Sequence, residues 1–291
     1  MTNHTIANPM TENQTTLNEA AIIVAPNGAR KSHSDHPALP ITNEEIINDV
    51  IACRDAGAAM VHLHARNNEG KHSLDISDNI KLYQSLKEKV GESIIVQLTT
   101  EAIGQYLPHQ QIALIKETKP EAASFALSEL IPNDNYLSDA SAFFHWVAEE
   151  NIIAQYILYS AEDLQRYLSF IKQDILPACN HHLLFVLGRY SKQQVATPQD
   201  LSPYLPHLPN INTRWAVCAF GKYEHFCLTT AMLMGADIRV GFENNHLNHQ
   251  GTMAHNNAAQ VTHLRTTAEH LNIKTLDAHS FRRRLIASKR P

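Results

Sequence analysis

Two histidines lie two residues apart in the segment 58–66, which reads Ala-Ala-Met-Val-His-Leu-His-Ala-Arg. The apolar residues before them predict a buried strand, and side chains two apart on a strand point to one face. His62 and His64 therefore share a face. Because neutral imidazoles bind zinc, iron and other divalent ions, the pair is a candidate metal site. The chain has 18 histidines, so a chance pair on a polar strand end is the alternative interpretation.

A carboxylate near the end of the chain could complete such a site. Glu243 follows the short apolar run 237–241 in the turn Gly241-Phe242-Glu243. Two histidines and one carboxylate leave coordination positions open for water or substrate, as catalytic zinc sites do. Glu243 could equally be a surface residue or pair with Arg239. The choice depends on whether the fold brings this turn beside the two histidines.

The order of apolar runs predicts a regular alternation of strands and helices. The predicted strands are residues 21–25, 58–66, 93–98, 121–127, 152–158, 183–187, 214–219 and 237–241. The predicted helices are residues 44–56, 75–90, 108–118, 137–150, 161–176, 197–205, 222–234, 254–271 and 279–286. Eight strand–helix units are typical of an α/β fold, the (β/α)8 TIM barrel, in a single domain. An open doubly wound sheet is the alternative, but no GxGxxG fingerprint follows the first strand.

Charge and hydrophobicity exclude several classes of protein. A net charge of −5 argues against a nucleic-acid partner, and no apolar run approaches the roughly 20 residues of a membrane helix. Residues 1–18 are polar and lack the basic start and apolar core of a signal peptide. We therefore expect a flexible tail over residues 1–18 and a cytoplasmic barrel domain over residues 19–291. The four cysteines show no CxxC spacing, so reduced thiols are expected.

The barrel predicts where function should lie, because active sites of this fold form at the carboxyl ends of the strands. Polar residues occur at or near most of the predicted ends. They are Asn27, Arg30, Arg66, Gln97, Thr99, Thr100, Glu101, Ser124, Ser128, Glu129, Gln155, Tyr156, Arg189, Arg239, Asn244 and Asn245. Strand ends are polar in most proteins, so some of these are expected to be ordinary loop residues.

Five segments together resemble the β-keto acid cleavage enzymes, the family of the 3-keto-5-aminohexanoate cleavage enzyme. The segments are residues 25–30, 36–42, 56–66, 70–74 and 235–245, and the resemblance runs from about residue 21 to 286. It implies a TIM barrel with one zinc ion held by His62, His64 and Glu243. It also implies a reaction in which a β-keto acid and acetyl-CoA give acetoacetate and a new acyl-CoA, with zinc polarising the keto carbonyl. Members of the family are usually homotetramers.

The resemblance also implies roles for other residues at the strand ends. Arg239 would support the residue after the zinc glutamate, and the hydroxyls of Thr99 and Ser128 would contact the substrate. Further substrate contacts are expected from polar side chains at the ends of the first four strands, which are Asn27, Arg30, Arg66, Gln97 and Glu129.

Two positions depart from the family's pattern. The residue after the zinc glutamate is usually an aspartate and is the proposed base, whereas here it is Asn244, whose amide cannot take up a proton in that way. Glu129 or Glu101 could supply the base instead. Arg30 lies near the position of a glutamate that faces the substrate's amine in the family's type enzyme, and a guanidinium favours a carboxylate. We therefore expect a β-keto acid without an amine at its far end.

Three other interpretations stay open at the level of sequence. Amidohydrolases are also metal-dependent barrels with an HxH motif, but that motif lies on their first strand. Iron oxygenases use two histidines and one carboxylate, but they are usually built on double-stranded β folds. A barrel that binds metal without turnover is the third possibility, because Asn244 replaces the expected acid.

Overall fold

Eight short runs of apolar residues form the strands of the barrel in the computed structural model, which describes residues 18–179, 181–190, 195–211 and 213–287. Each strand pairs in parallel with the next, and β1 pairs with both β8 and β2, which closes the barrel. The strands are β1 (Glu19–Val24), β2 (Met60–Leu63), β3 (Ile95–Thr99), β4 (Ala122–Ala126), β5 (Ile153–Leu158), β6 (His181–Leu187), β7 (Arg214–Ala219) and β8 (Asp237–Val240). The predicted single-domain TIM barrel is confirmed.

Helices surround the barrel and bury one apolar face each against the strands. They are α1 (Asn43–Ala56), α2 (Ile76–Val90), α3 (Pro108–Thr118), α4 (Leu127–Leu130), α5 (Leu137–Glu149), α6 (Ala161–Lys172), α7 (Glu224–Leu233), α8 (Asn257–His270) and α9 (Ala278–Ala287). Short 3-10 helices occupy Asp134–Tyr136 and Pro198–Asn210. No helix among these described elements is long and apolar enough to cross a membrane.

Capping residues fix where α1 begins and ends, and thereby where β2 starts. The Thr42 hydroxyl accepts a hydrogen bond from the Glu45 amide at 3.2 Å, and the Glu45 carboxylate accepts one from the Thr42 amide at 2.9 Å. This reciprocal pair satisfies amides that the first turn of a helix leaves free. Gly57 ends the helix with a φ of +116°, a region that favours glycine. The predicted capping box at Thr42 is confirmed.

Several element boundaries differ from the sequence prediction, and each difference has a local cause. β2 ends at Leu63, so His64 and Arg66 lie just beyond the strand. The segment predicted as a short α-helix over 197–205 is a longer 3-10 helix, because prolines such as Pro203 and Pro206 cannot donate the hydrogen bonds of an α-helix. An additional strand, β9 (Lys274–Leu276), pairs with β1 outside the barrel. Residues 1–17 of the predicted tail lie outside the described residues.

A buried network of charges closes the amino end of the barrel. Asp237 at the start of β8 accepts hydrogen bonds from Arg214 Nη2 at 2.6 Å, from His182 Nε2 at 3.1 Å and from the Ala21 amide at 2.7 Å. Arg214 also pairs with Glu19 at 3.1 Å. Burial would raise the pKa of Asp237, but Arg214 and His182 outweigh it and lower the pKa to about 2. The charge network therefore stabilises the fold at the amino end, and the active site is expected at the carboxyl end.

We expect the Asp237→Ala variant to lose about 3–5 kcal/mol in free energy of unfolding at pH 7, because Arg214 and His182 would stay buried without their partner. The low pKa of Asp237 in the folded state means that its contribution is present above about pH 4 and is lost as the pH falls towards 2. The difference in free energy of unfolding between variant and wild type should therefore become smaller as the pH falls. Urea denaturation at several pH values measures it.

The matched control is Asp139→Ala, which removes an exposed carboxylate from α5. It should change the free energy of unfolding by less than about 0.5 kcal/mol. A loss of less than 1 kcal/mol in Asp237→Ala would contradict the assigned role of the network.

Candidate metal centre and active site

Three donor atoms converge at the carboxyl end of the barrel, where β1 separates β8 from β2. His62 Nε2 lies 3.1 Å from His64 Nε2, and Glu243 Oε2 lies 3.6 Å and 3.3 Å from these two nitrogens. A point equidistant from the three atoms lies about 1.9 Å from each, close to the metal–ligand distances of about 2.0–2.2 Å in zinc sites. Within the described residues this is the one group of three His, Cys, Asp or Glu side chains spaced to hold an ion. The arrangement fits a divalent metal ion.

Two glycines allow Glu243 to approach the histidines this closely. Gly28 follows β1 with a φ of +63°, and a Cβ atom there would lie 2.7 Å from Glu243 Cγ. Gly241 has a φ of +136°, and a Cβ atom there would lie 2.4 Å from the carbonyl oxygen of Ala25. A larger residue at either position would clash and would need a strained backbone. The glycines therefore set the path of the turn that carries Glu243.

Neighbouring side chains orient the ligands. Gln97 Oε1 lies 2.7 Å from His62 Nδ1 and can accept a hydrogen bond from it. The proton is then on Nδ1, and the Nε2 lone pair points towards His64 Nε2 and Glu243 Oε2. Arg239 donates to Glu243 Oε1 at 3.0 Å. The other oxygen, Oε2, is buried and accepts no hydrogen bond from the described residues. An orphaned buried carboxylate oxygen facing two imidazole nitrogens is what a metal ligand set requires.

The charges of these groups also match metal binding. Burial lowers the pKa of His62 to about 4 and that of His64 to about 3, although Glu243 opposes the shift. Burial would raise the pKa of Glu243, but Arg239 and the two histidines outweigh it and hold the pKa well below its ordinary value. Near pH 7 the site therefore offers two neutral imidazoles and one carboxylate, the protonation states that coordinate metal ions.

A pocket opens beside the donor group. Its walls come from the carboxyl ends of the seven strands β2 to β8. The polar side chains that line it with His62 and Glu243 are Thr99, Thr100, Glu101, Ser124, Glu129, Tyr159, Arg189 and Arg239. Apolar contacts come from residues such as Ile157, Val186 and Phe220. A concave site lined mainly by polar and charged side chains beside the donor group suits a small polar substrate.

An ion pair spans this pocket from β3 to β6. Arg189 Nη2 lies 3.1 Å from Glu101 Oε1, and its guanidinium lies 5.1 Å above the Phe220 ring. The other oxygen of Glu101 lies 3.9 Å from His64 Nδ1. Burial and the charge of Glu243 raise the pKa of Glu101 to about 7, against the opposing effect of Arg189. Glu101 can therefore gain or lose a proton near neutral pH, as general bases do.

Glu129, the other sequence-predicted alternative for the base, also lines the pocket. Its carboxylate accepts hydrogen bonds from the Ala102 amide at 2.9 Å and from Gln111 Nε2 at 3.1 Å. Burial raises the pKa of Glu129. Because both donors come from the protein, Glu129 is held in place as part of the pocket wall.

The hydroxyl residues named from the sequence are placed differently from one another. Thr99 is buried at the end of β3, lines the pocket and accepts a hydrogen bond from the Glu101 amide at 3.0 Å. Ser128 is exposed in α4 and does not line the pocket, because the chain turns into this helix directly after β4. The β4 hydroxyl that lines the pocket is that of Ser124.

Two of the substrate-binding candidates from the first strands hold the loop after β1. Arg66 donates to the carbonyl oxygens of Gly28, Gly70 and Lys31 at 2.6, 2.8 and 3.0 Å. Asn27 Nδ2 donates to the backbone carbonyl oxygen of His64 at 3.0 Å. Both side chains therefore shape the rim of the site through the backbone.

Arg30 and Asn244 occupy unusual environments. Arg30 is exposed in the loop after β1 and is not among the side chains that line the pocket. Burial raises the pKa of Glu101 and of Glu129, and the charge of Arg30 opposes that shift. Asn244 is buried beside Glu243, and neither polar atom of its side chain has a hydrogen-bond partner in the described parts of the chain.

Sequence analysis missed Tyr159 and Phe220 and expected Gln155 and Tyr156 at the rim instead. Gln155 lies lower in the barrel and donates to His182 Nδ1 at 2.8 Å, while Tyr156 packs outward against Phe144. Strand alternation places Ile157 and Tyr159 on the same face as Gln155, and both line the pocket. A signal for Tyr159 was present in the sequence, because the predicted strand 152–158 ends directly before it and strand ends form the rim of the barrel.

The chain is a closed (β/α)8 barrel with a candidate metal centre of two histidines and a glutamate at its carboxyl rim. The model of the beta-keto acid cleavage enzyme family matches residues 19–286, and the chain belongs to that family. The resemblance inferred from the sequence is thereby confirmed, and the enzyme is of the β-keto acid-cleaving class.

Individual relatives are distant but span most of the chain. The 3-keto-5-aminohexanoate cleavage enzyme of Fusobacterium nucleatum is 26% identical over 88% of this chain and 93% of its own length. The 3-oxoadipate:acetyl-CoA acetyltransferase of Cupriavidus necator is 24% identical over 85% of this chain and 88% of its own. A solved ternary complex of ObcA with a C4-CoA adduct and oxalate is 17% identical, has a TM-score of 0.70 and covers 86% of this chain and 68% of ObcA, and it supports the fold.

We expect the Gln97→Leu variant to bind a divalent ion about 10- to 100-fold more weakly, because His62 loses the acceptor that fixes its ring. Competition with a chromophoric chelator for zinc(II) measures this affinity. Gln97→Glu keeps an acceptor at the same place and should retain most of the affinity. Equal affinities in the Leu variant and the wild type would contradict the orienting role.

Proposed function

We propose that the protein is a zinc-dependent enzyme that converts a β-keto acid and acetyl-CoA into acetoacetate and a new acyl-CoA. The observation that carries the proposal is the convergence of His62, His64 and Glu243 at the carboxyl rim of a barrel of this family. Relatives with known reactions are named for acetyl-CoA-dependent transfers, which supports acetyl-CoA as the co-substrate. The acyl part of the β-keto acid moves to coenzyme A, and its remaining carboxymethyl part joins the acetyl group.

The residues of the chain divide the work in the proposed reaction. Zinc bound at this centre would supply Lewis-acid polarisation of a carbonyl oxygen. Arg239 fixes the Glu243 carboxylate and adds positive charge next to the site. The Thr99 and Ser124 hydroxyls line the pocket where a substrate oxygen would lie. Thr99, Ser124 and Arg239 line the pocket and are therefore candidates for catalytic residues, with Ser124 favoured over the exposed Ser128. Asn244 is a candidate only because it follows Glu243, where the family usually has the acid.

The proton transfer needs a carboxylate other than the one the family usually provides. Asn244 carries an amide at that position and cannot act as the base. Glu101 faces His64 from the other side, with its carboxylate 3.9 Å from His64 Nδ1, and burial favours its taking up a proton there. We infer that Glu101 takes the role of the base. A substrate carboxylate that pairs with Arg189 would release Glu101 from its ion pair and free it to accept the proton.

Arg189 and Arg30 together indicate the charge of the substrate's far end. Arg189 lies inside the pocket with its side chain 19% exposed, and Arg30 is exposed in the loop after β1. Guanidinium groups pair with carboxylates and repel ammonium groups. We infer that the preferred β-keto acid has an anionic or neutral far end.

The location and the assembly are also proposals. We infer a cytoplasmic enzyme, because the proposed co-substrate acetyl-CoA is an intracellular metabolite, and a homotetramer, as the family resemblance implies. Light scattering of the purified protein tests the assembly.

The test of the proposed function combines metal analysis with turnover. We expect wild-type protein to retain zinc and to release acetoacetate from acetyl-CoA and a β-keto acid drawn from a panel. The double variant His62→Ala/His64→Ala should keep its circular dichroism spectrum but lose that zinc and at least a thousandfold in kcat/KM, because the site keeps only Glu243 as a ligand. His270→Ala, an exposed substitution on α8, is the control. Unchanged zinc content in the double variant would refute the centre, and zinc without turnover of any panel member would favour a barrel that only binds metal.

The charge preference is tested by replacing each arginine separately. We expect Arg189→Gln to lower kcat/KM for an anionic β-keto acid at least tenfold and to leave a neutral analogue nearly unchanged, because a buried charged hydrogen bond contributes about 1.5–3 kcal/mol. Arg30→Glu should shift the ranking towards amines only a few-fold, since an exposed pair contributes about 0–1 kcal/mol. Kinetics with matched anionic, neutral and cationic substrates measure both effects. If both variants keep the wild-type ranking of the three substrates, neither arginine contacts the substrate.

A further inference from the structure

Three histidines meet on the outer face of the barrel, away from the candidate metal centre. His225 lies in the first turn of α7, His263 lies in the middle of α8, and His249 lies in the loop that joins β8 to α8. All three border a cavity of about 480 Å³ between these two helices. The His225 and His263 rings are 4.4 Å apart, and the His249 ring stacks on His263 at 3.8 Å with an angle of 7° between the ring planes.

The tips of two of these rings face each other at a distance that suits a shared metal ion. His225 Nε2 lies 3.3 Å from His263 Nε2. An ion bound to both nitrogens at the usual distance of about 2.0–2.1 Å would see them at about 105–110°, close to the tetrahedral angle. As a hydrogen bond, the same distance lies at the long end of the range. The separation of the two nitrogens therefore suits an ion bound by both rings, which would turn slightly to aim their lone pairs at it.

Both nitrogens are available for coordination near neutral pH. His225 is half-buried, and burial together with the charges of His263 and His249 lowers its pKa to about 4. Burial and His249 also lower the pKa of His263. Neutral imidazoles bind copper(II), nickel(II) and zinc.

We propose that His225 and His263 form a second site for a transition-metal ion, with His249 as a third ligand. The ion is of the class that prefers imidazole nitrogen, and copper(II) should bind most tightly among the divalent ions of the first row. His249 is exposed on its loop, and its ring must turn away from the stack to direct a nitrogen at the ion. Only the centre at His62, His64 and Glu243 already brings three donor atoms together in the described chain.

An ion at this second site would stabilise the packing of α7 against α8 and would take no part in the reaction. It would join α7 to α8 and, through His249, to the loop between β8 and α8 that also carries Glu243 and Asn244. The two helices already pack against each other, so the site would add a link between elements that exist without it. We therefore expect metal at the second site to raise the thermal midpoint while leaving the candidate metal centre intact.

The test counts metal ions per chain on the full-length protein. After removal of bound metal, equilibrium dialysis against nickel(II) or copper(II), followed by elemental analysis, should give two classes of site. His225→Ala and His263→Ala should each hold one ion fewer than the wild type. His62→Ala/His64→Ala should lose the other ion and keep this one, so the two sites are assigned independently of the proposed reaction.

Two further variants sharpen the result. His270→Ala removes an exposed histidine from the end of α8 and should hold as many ions as the wild type. His249→Ala should weaken the second class at least threefold without abolishing it, whereas an unchanged affinity would overturn its role as third ligand. The proposal as a whole is overturned if His225→Ala and His263→Ala, shown to be folded by circular dichroism, bind as many ions as the wild type. A wild type with only one class of site overturns it equally.

Discussion

The pairing of β1 with both β8 and β2 is the constraint on which the site depends. His62 and Glu243 are separated by most of the chain, yet closure of the barrel places the ends of β2 and β8 on the two sides of β1. The donor atoms then lie 3.1 to 3.6 Å apart. A one-residue shift in strand register would turn the histidines to the opposite face, because side chains alternate along a strand. The metal centre is therefore a consequence of how the barrel closes.

The two ends of the barrel use buried charge in opposite ways. At the amino end, Asp237 has two cationic or hydrogen-bonding partners and a backbone amide, and its pKa is held at about 2. At the carboxyl end, Glu101 has Arg189 as its partner but also faces the negative charge of Glu243, and its pKa rises to about 7. Fully neutralised charges stabilise a fold, whereas incompletely neutralised ones can exchange protons at working pH. The charge balance thus separates the structural end from the reactive end.

The pocket also indicates how, within one family, the acidic side chain of the site could lie on a different strand end while the barrel stays the same. The position after Glu243 carries Asn244, which is buried and neutral. A carboxylate is present instead at Glu101, after β3, and it lies on the side of His64 away from Glu243. A barrel tolerates such an exchange because each strand end contributes its loop independently to a common pocket. In the proposed reaction, Arg189 would link the charge of the substrate to the protonation state of Glu101, with which it is paired.

Much of this molecule follows from the sequence alone. The alternation of apolar runs determined the eight strands and the surrounding helices, because burial of apolar residues is a local pattern that the fold must satisfy. The spacing of His62 and His64 determined that they share a face, and the turn after the last barrel strand indicated Glu243. Family segments around both then indicated the reaction class. None of these inferences required knowledge of which side chains contact each other.

The tertiary structure decided which of the polar strand ends enter the pocket. It turned Arg66 and Asn27 towards backbone carbonyl oxygens, placed Ser128 on the surface and brought Tyr159 and Phe220 to the rim. It also paired Glu101 with Arg189 and joined His225 to His263 on adjacent helices. Such contacts depend on the angle at which each loop leaves its strand and on the packing of distant elements. Sequence periodicity carries the direction of a side chain within its own element, but only the assembled barrel sets the distances between elements.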